Sequence, residues 1–192
     1  KPEGKLPNII IILTDDMGYE DISCFGASAI KTPNIDKIAE EGVIFTNFYS
    51  SSPICSPSRA GLLTGRYPIR AHVPTVFIPS ASRLSFLASL FLYSYGMDGM
   101  AMDEITLGEI LQAIGYKTAL IGKWHLGDQE PFLPNNKGFD FFYGAHYSND
   151  MDPYEIYRNK EVDLPAPVNQ DLLSNHLTKE AIDFIKKSKE EP

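Results

Sequence analysis

The twelve residues Cys55-Ser56-Pro57-Ser58-Arg59-Ala60-Gly61-Leu62-Leu63-Thr64-Gly65-Arg66 set one thiol beside a helix-start signal and a cation. Pro57 suits a first helical position, and the helix it opens turns free backbone N–H groups and a positive dipole end towards Cys55. Arg59 follows Cys55 by four residues, so one turn returns its guanidinium to the same spot. Leu62 and Leu63 can face the interior, and Gly65 is a C-terminal stop. The combination is a nucleophile placed to meet an anion.

Two further clusters carry charge. Asp15 and Asp16 follow directly on the apolar run Asn8-Ile9-Ile10-Ile11-Ile12-Leu13-Thr14. Adjacent strand residues point to opposite faces, so the two carboxylates converge only if a strand ends there, and Gly18 permits such a turn. Converged carboxylates repel unless a cation lies between them, and hard oxygen donors suit Ca²⁺ or Mg²⁺. In Gly122-Lys123-Trp124-His125-Leu126-Gly127, an extended backbone places Lys123 and His125 on one face and Trp124 on the other. A cation and an imidazole are then presented together while the indole packs.

The run from Cys55 to Arg66 resembles the sulfatase signature C-x-P-S-R-x-x-L-L-T-G-R at every position, and the G-K-W-H-L-G run resembles a second pattern of that family. The resemblance implies a sulfuric ester hydrolase of the formylglycine-dependent, arylsulfatase-like kind. Cys55 is then oxidised by a formylglycine-generating enzyme, and its hydrated aldehyde is the nucleophile. Asp15, Asp16 and residue 55 are the implied metal ligands, with Ca²⁺ ahead of Mg²⁺. Arg59 and Lys123 would neutralise the sulfate oxygens. A serine sulfate would need a second attack on the same hindered sulfur, whereas a geminal diol expels sulfate once a base removes its other proton; His125 is the candidate base or its orienting partner. Tyr147-Ser148-Asn149-Asp150 resembles a Y-S-H-D stretch of some arylsulfatases, with Asn149 in the His place, which makes Ser148 a substrate contact. His146 and His176 lie too early for the family's downstream His and read as loop and helix-surface residues.

The elements that must position these groups are legible in outline. The unbroken β-branched run before Asp15 reads as a central parallel strand covered on both faces. Thr32-Pro33 opens a helix through Ile35, Ile38 and Ala39 that Gly42 closes, and residues 43–49 read as a second strand. Thr106 and Glu109 form a capping-box pattern ahead of Leu107, Ile110, Leu111 and Ile114. Residues 118–121 read as a strand, and Leu173, Leu177, Ala181 and Phe184 as a last helix ending in lysines. Alternating strands and helices predict an α/β sandwich with a mostly parallel central sheet and its ligand site beyond the strands' carboxyl ends. The resemblance adds an alkaline-phosphatase-like topology, here incomplete at the C-terminus, with residues 1–192 as the N-terminal part of the catalytic domain. Residues 131–167, rich in aromatics, Pro, Asn and Asp, read as a surface excursion, and about 80–102 as an apolar insertion packed on the body or walling the site.

Composition narrows the partners. A hydrophobic fraction of 43% and a charged fraction of 22% are ordinary for a globular protein, and the net charge of -8 argues against general nucleic-acid affinity. No apolar run is long enough for a membrane span. Cys24 and Cys55 are read as free, since a bridge would consume the thiol, and Cys24 as a small buried residue. The family resemblance favours a processed periplasmic, extracellular or lysosomal protein acting on a sulfate ester. Two other readings remain: a phosphonate or phosphate ester hydrolase of the same superfamily, and a truncated domain without turnover.

Overall fold

Helix-start chemistry accounts for most of the helices in the computed structural model, which describes residues 6–81 and 98–189. They divide into two units, one of residues 9–49 and one of the remainder. In the smaller unit, α1 runs Pro33–Glu41 with Thr32 as N-cap and Gly42 as C-cap, as the Thr-Pro and Gly signals require. Its N-terminus is tied to a preceding one-turn segment: Ser23 N–H donates to Thr32 Oγ1 at 2.9 Å, and Cys24 N–H to Asp36 Oδ1 at 2.9 Å. Cys24 is free but exposed, not buried, because only its backbone is engaged there.

The two strands expected in this unit do not form. Residues 9–14 and 43–49 contain no β-ladder, and Ile10 and Ile12 are 67% and 77% exposed. β-branched residues favour an extended backbone, but only a neighbouring strand turns extension into a strand.

In the larger unit α2 runs Cys55–Thr64, and Gly65 ends it with φ of 65°. The helix begins two residues before Pro57: Ile54 is the N-cap, and its carbonyl accepts from Ser58 N–H at 3.0 Å. Pro57 is tolerated inside the first turn because its missing N–H is one of the donors a helix start leaves unsatisfied. Helix α3, Leu107–Ala113, carries the full capping box, with Thr106 Oγ1 accepting from Glu109 N–H at 3.1 Å and Glu109 from Thr106 N–H at 2.8 Å. Helix α4 spans Leu173–Lys187.

The described strands are β1 (Ala119–Lys123), β2 (Phe141–Ala145), β3 (Ile156–Arg158) and β4 (Glu161–Leu164), hydrogen-bonded in that order. Only β1 and β2 are parallel; β3 and β4 add antiparallel. The described sheet, part of the domain, is therefore mixed, with one parallel pair. Residues 131–167, expected as a surface excursion, hold three of its strands, because Phe141 to Ala145 alternate between two buried faces. Phe142 packs with Trp124, Leu120, Ala60 and Leu63 of α2, while Tyr143 and Ala145 pack with Ile121 and with Leu173 and Leu177 of α4. This is the α/β sandwich: α2 on one face of the parallel pair, α4 on the other. Most of the apolar insertion expected at about 80–102 lies outside the described residues.

One rung of the parallel pair depends on glycine. Gly122 pairs with Gly144, and a Cβ on Gly144 would lie 1.8 Å from the Gly122 carbonyl oxygen. Gly144→Ala must part the strands there and is expected to cost on the order of 1–3 kcal/mol or more, read as a fall in the urea midpoint. An unchanged midpoint would show that the rung tolerates separation.

Candidate active site

Lys123 is the last residue of β1 and pairs with Ala145, the last of β2. The ladder continues past both ends: Trp124 N–H donates to the Ala145 carbonyl at 3.0 Å and His125 N–H to the His146 carbonyl at 2.8 Å. The chains then separate, and the residues expected to do chemistry stand at that opening. The Lys123 ammonium donates to Cys55 Sγ at 3.3 Å and to Ser148 Oγ at 3.3 Å, so it bridges the first turn of α2 and the segment after β2. Arg59 donates from Nη1 to the Lys123 carbonyl at 2.5 Å, which fixes the backbone that carries the ammonium. Cys55, Arg59, Lys123 and Ser148 are thus brought together, each partly buried.

The G-K-W-H-L-G segment reaches this arrangement by a different backbone from the extended one expected. Gly122, His125 and Gly127 have φ of 121°, 60° and 118°, so strict strand alternation is lost after Lys123. Trp124 still packs inward, with Nε1 donating to the Phe132 carbonyl at 2.9 Å and its ring edge-on to Phe139. His125 is fully buried, not presented beside Lys123 to an open face. Its Nε2 lies 3.0 Å from the Phe77 carbonyl, which can only accept, so Nε2 carries a proton. The ring also meets Tyr147 edge-on at 5.3 Å.

Sequence reasoning missed the other half of this brace. Ser56 is buried, and its Oγ accepts the Phe77 N–H at 3.1 Å, while the Phe77 carbonyl meets His125. The peptide groups of one residue therefore tie the start of α2 to the end of β1. It also passed over Asp150, two residues beyond Ser148. The Ser148 hydroxyl, with the nearby charges of Lys123 and His125, holds the Asp150 carboxyl below the usual range. A signal existed in the Y-S-N-D run. Asn149 is clasped to Gln170 by two hydrogen bonds of 2.9 Å, which anchors the same segment.

Asp15 and Asp16 belong to the smaller unit. Both are exposed, and Asp16 has φ of 56°, a turned backbone directly after the apolar run. Two adjacent carboxylates offer the hard oxygens that Ca²⁺ takes, though fewer than its usual six to eight. Among the described residues no group of three or more His, Cys, Asp or Glu side chains is gathered to complete such a set. Of the remaining histidines, His176 lies on α4 and His146 in the loop directly after β2, as expected, but His146 is buried there.

The family model described as Sulfatase matches residues 7–192. The chain belongs to the sulfatase family. It is 42% identical over 151 residues to human arylsulfatase G, covering 79% of this chain and 26% of the relative. Human N-acetylgalactosamine-6-sulfatase is 37% identical over 203 residues, covering 94% of this chain and 36% of the relative. A structure from Bacteroides thetaiotaomicron, described with the metabolism of multiple glycosaminoglycans, superimposes with a TM-score of 0.80 at 28% identity, over 98% of this chain and 50% of that one. Another, solved with its substrate D-glucosamine-2-N,6-O-disulfate, gives 0.69 at 31% identity over 98% of this chain and 33% of that one. The sulfatase chain thus has the alkaline-phosphatase-like fold in part, and spans about a quarter to a third of the length of the curated relatives it matches.

Hydrogen bonding to its charged form is the largest cause of the lowered Asp150 value. Ser148→Ala is therefore expected to raise the Asp150 pKa towards its ordinary 3.8, followed by carboxyl NMR on acid titration. An unmoved titration would detach Asp150 from Ser148.

Proposed function

We propose that this chain carries the nucleophile end of a sulfate-ester hydrolase site, with residue 55 converted to formylglycine by a formylglycine-generating enzyme. The observation that carries the reading is the Lys123 ammonium set between residue 55 and Ser148, with Arg59 fixed against the Lys123 carbonyl. Formylglycine, once hydrated, supplies a geminal diol whose second hydroxyl allows sulfate to leave without a further attack at sulfur.

The chain's own residues would do the rest. Lys123 offers a positive charge and N–H donors to sulfate oxygens where negative charge builds, in a partly buried setting that strengthens the attraction. Ser148 Oγ, already within hydrogen-bond reach of that ammonium, would be a further contact to the ester. Arg59 preorganises Lys123 through its carbonyl and adds cationic charge beside the first turn of α2. His125, fully buried with its Nε2 proton directed at Phe77, suits the orienting role better than that of a mobile base. Asp15 and Asp16 would supply hard oxygen ligands to Ca²⁺, a Lewis acid suited to sulfate-ester chemistry.

Arylsulfatases and N-acetylgalactosamine-6-sulfatase among the relatives support a sulfated aryl or sugar ester as the substrate class. A periplasmic, extracellular or lysosomal setting fits these relatives. Among the described residues no helix is long and apolar enough to cross a membrane.

The deciding experiment co-expresses the complete reading frame with a formylglycine-generating enzyme, maps residue 55 by peptide mass, and compares turnover of an aryl sulfate and a phosphate diester. An aldehyde at residue 55 with preferred sulfate turnover is expected, and Lys123→Ala should lower kcat by about 10²–10³. A retained thiol, or preferred phosphate diester turnover, would overturn the reading. Separately, Asp15→Asn and Asp16→Asn are each expected to weaken Ca²⁺ binding in calorimetry; equal affinity in both variants would assign the pair to a solvated turn.

A further inference from the structure

His146 stands directly after β2, and its carbonyl accepts the His125 N–H at 2.8 Å. Its side chain lies between Phe142 of β2, with ring centroids 5.6 Å apart and planes 8° apart, and Tyr157 of β3, at 3.9 Å and 25°. The ring is only 6% exposed, and Nε2 has no hydrogen-bond partner among the described residues. Two residues later comes Ser148, which accepts from Lys123. We propose that His146 is a positioning residue: its neutral ring, stacked on β2 and β3, fixes the backbone whose carbonyl pairs with His125 after β1, so that Lys123 and Ser148 stay joined, and protonating the ring releases that pairing. The proposal deepens the reading of Lys123 and Ser148 as a substrate-facing pair, but its test does not depend on turnover.

A proton on both ring nitrogens would leave a buried N–H without an acceptor in an aromatic slot. Stacking on Tyr157 would favour a cation to some extent. The anions facing the ring are Asp128, from the loop after β1, and Glu155, just before β3, and both favour the charged form. Each is already engaged elsewhere. Asp128 accepts from the Ser80 N–H and hydroxyl at 2.9 and 2.8 Å, and Glu155 accepts from the Tyr157 hydroxyl at 2.7 Å. Loss of hydration therefore outweighs these attractions, and burial brings the His146 pKa down from 6.5 to about 4.

The sign follows from linkage. The folded state prefers the neutral ring, so nothing is lost above the unfolded value of 6.5, and stability falls as pH drops from 6.5 towards about 4. Below that window the full penalty is about 300-fold in the folding equilibrium, the ratio that this drop in pKa sets.

The test uses the full chain and its single tryptophan, Trp124, whose N–H bonds to Ala145 beside His146. Histidine ring NMR is expected to show His146 titrating near 4, and Trp124 emission should change between pH 6.5 and 4. His146→Phe and His146→Gln should each flatten that emission change while leaving emission at pH 7 unaltered. A His146 ring that titrates at its ordinary 6.5 would overturn the proposal, and this wild-type measurement stands even if a variant fails to fold. An acid profile unchanged in both variants would overturn it equally. Failure of sulfate turnover would count against the proposed activity and leave these readings untouched.

Discussion

The architecture of the larger unit depends on joining a helix start to a strand end. Cys55 at the first turn of α2 and Lys123 at the last residue of β1 are far apart in sequence, and a single ammonium spans the gap at 3.3 Å. A lysine head held beside a thiol and a hydroxyl loses side-chain freedom, so its geometry persists only if the backbone beneath it is fixed. Arg59 supplies that fixation through the Lys123 carbonyl, and the Ser56–Phe77–His125 relay supplies a second tie a short way along the chain. Both ties engage backbone: the Lys123 carbonyl in one, and the N–H and carbonyl of Phe77 in the other. They constrain where the chain runs, and the side chains follow.

The sheet explains why this end of the strands is the one that carries charge. Parallel β1 and β2 finish together, so their following residues diverge from one edge and leave backbone groups and polar side chains facing a shared opening. Packing on both faces secures the pair: α2 with Trp124 and Phe142 on one side, α4 with Tyr143 and Ala145 on the other. The Gly122–Gly144 rung lets the two backbones approach where a side chain on Gly144 would collide with the Gly122 carbonyl. A buried lysine, Lys137, performs a similar service away from the opening. Its ammonium donates to the carbonyls of Met102 and Glu104 at 2.9 and 3.0 Å, and so ties the segment before α3 to the residues before β2.

Charge placement in the chain is correspondingly local. Under the proposed function, a net charge of -8 would repel an anionic ester from the surface at large, so attraction would have to come from a few cations brought together. Lys123 and Arg59 would meet that need at the start of α2, where the helix dipole adds a partial positive charge of its own. Asp150 balances them at the rim through Ser148, remaining ionised beside the cations.

The sequence by itself determined the groups capable of chemistry and the local structures that begin or end beside them. The helix within the Cys55 to Arg66 run with its Gly65 stop, the Thr106–Glu109 capping box, the strand leading to Lys123 and the last helix are all short-range matters of caps, φ preference and apolar period, and they are legible in the sequence. Pro57 misled by two residues because a proline is tolerated anywhere in a first turn. The strands at residues 9–14 and 43–49 did not follow from their composition, because a ladder requires a partner that β-branched residues cannot specify. Tertiary structure alone decided that residues 131–167 build sheet, that His125 turns inward to Phe77, and that His146 is buried between two rings. Each of these depends on contacts between segments distant in sequence, where packing and desolvation outweigh local preference. The same contacts set the Lys123 ammonium between Cys55 and Ser148, a meeting that spacing along the chain could not reveal.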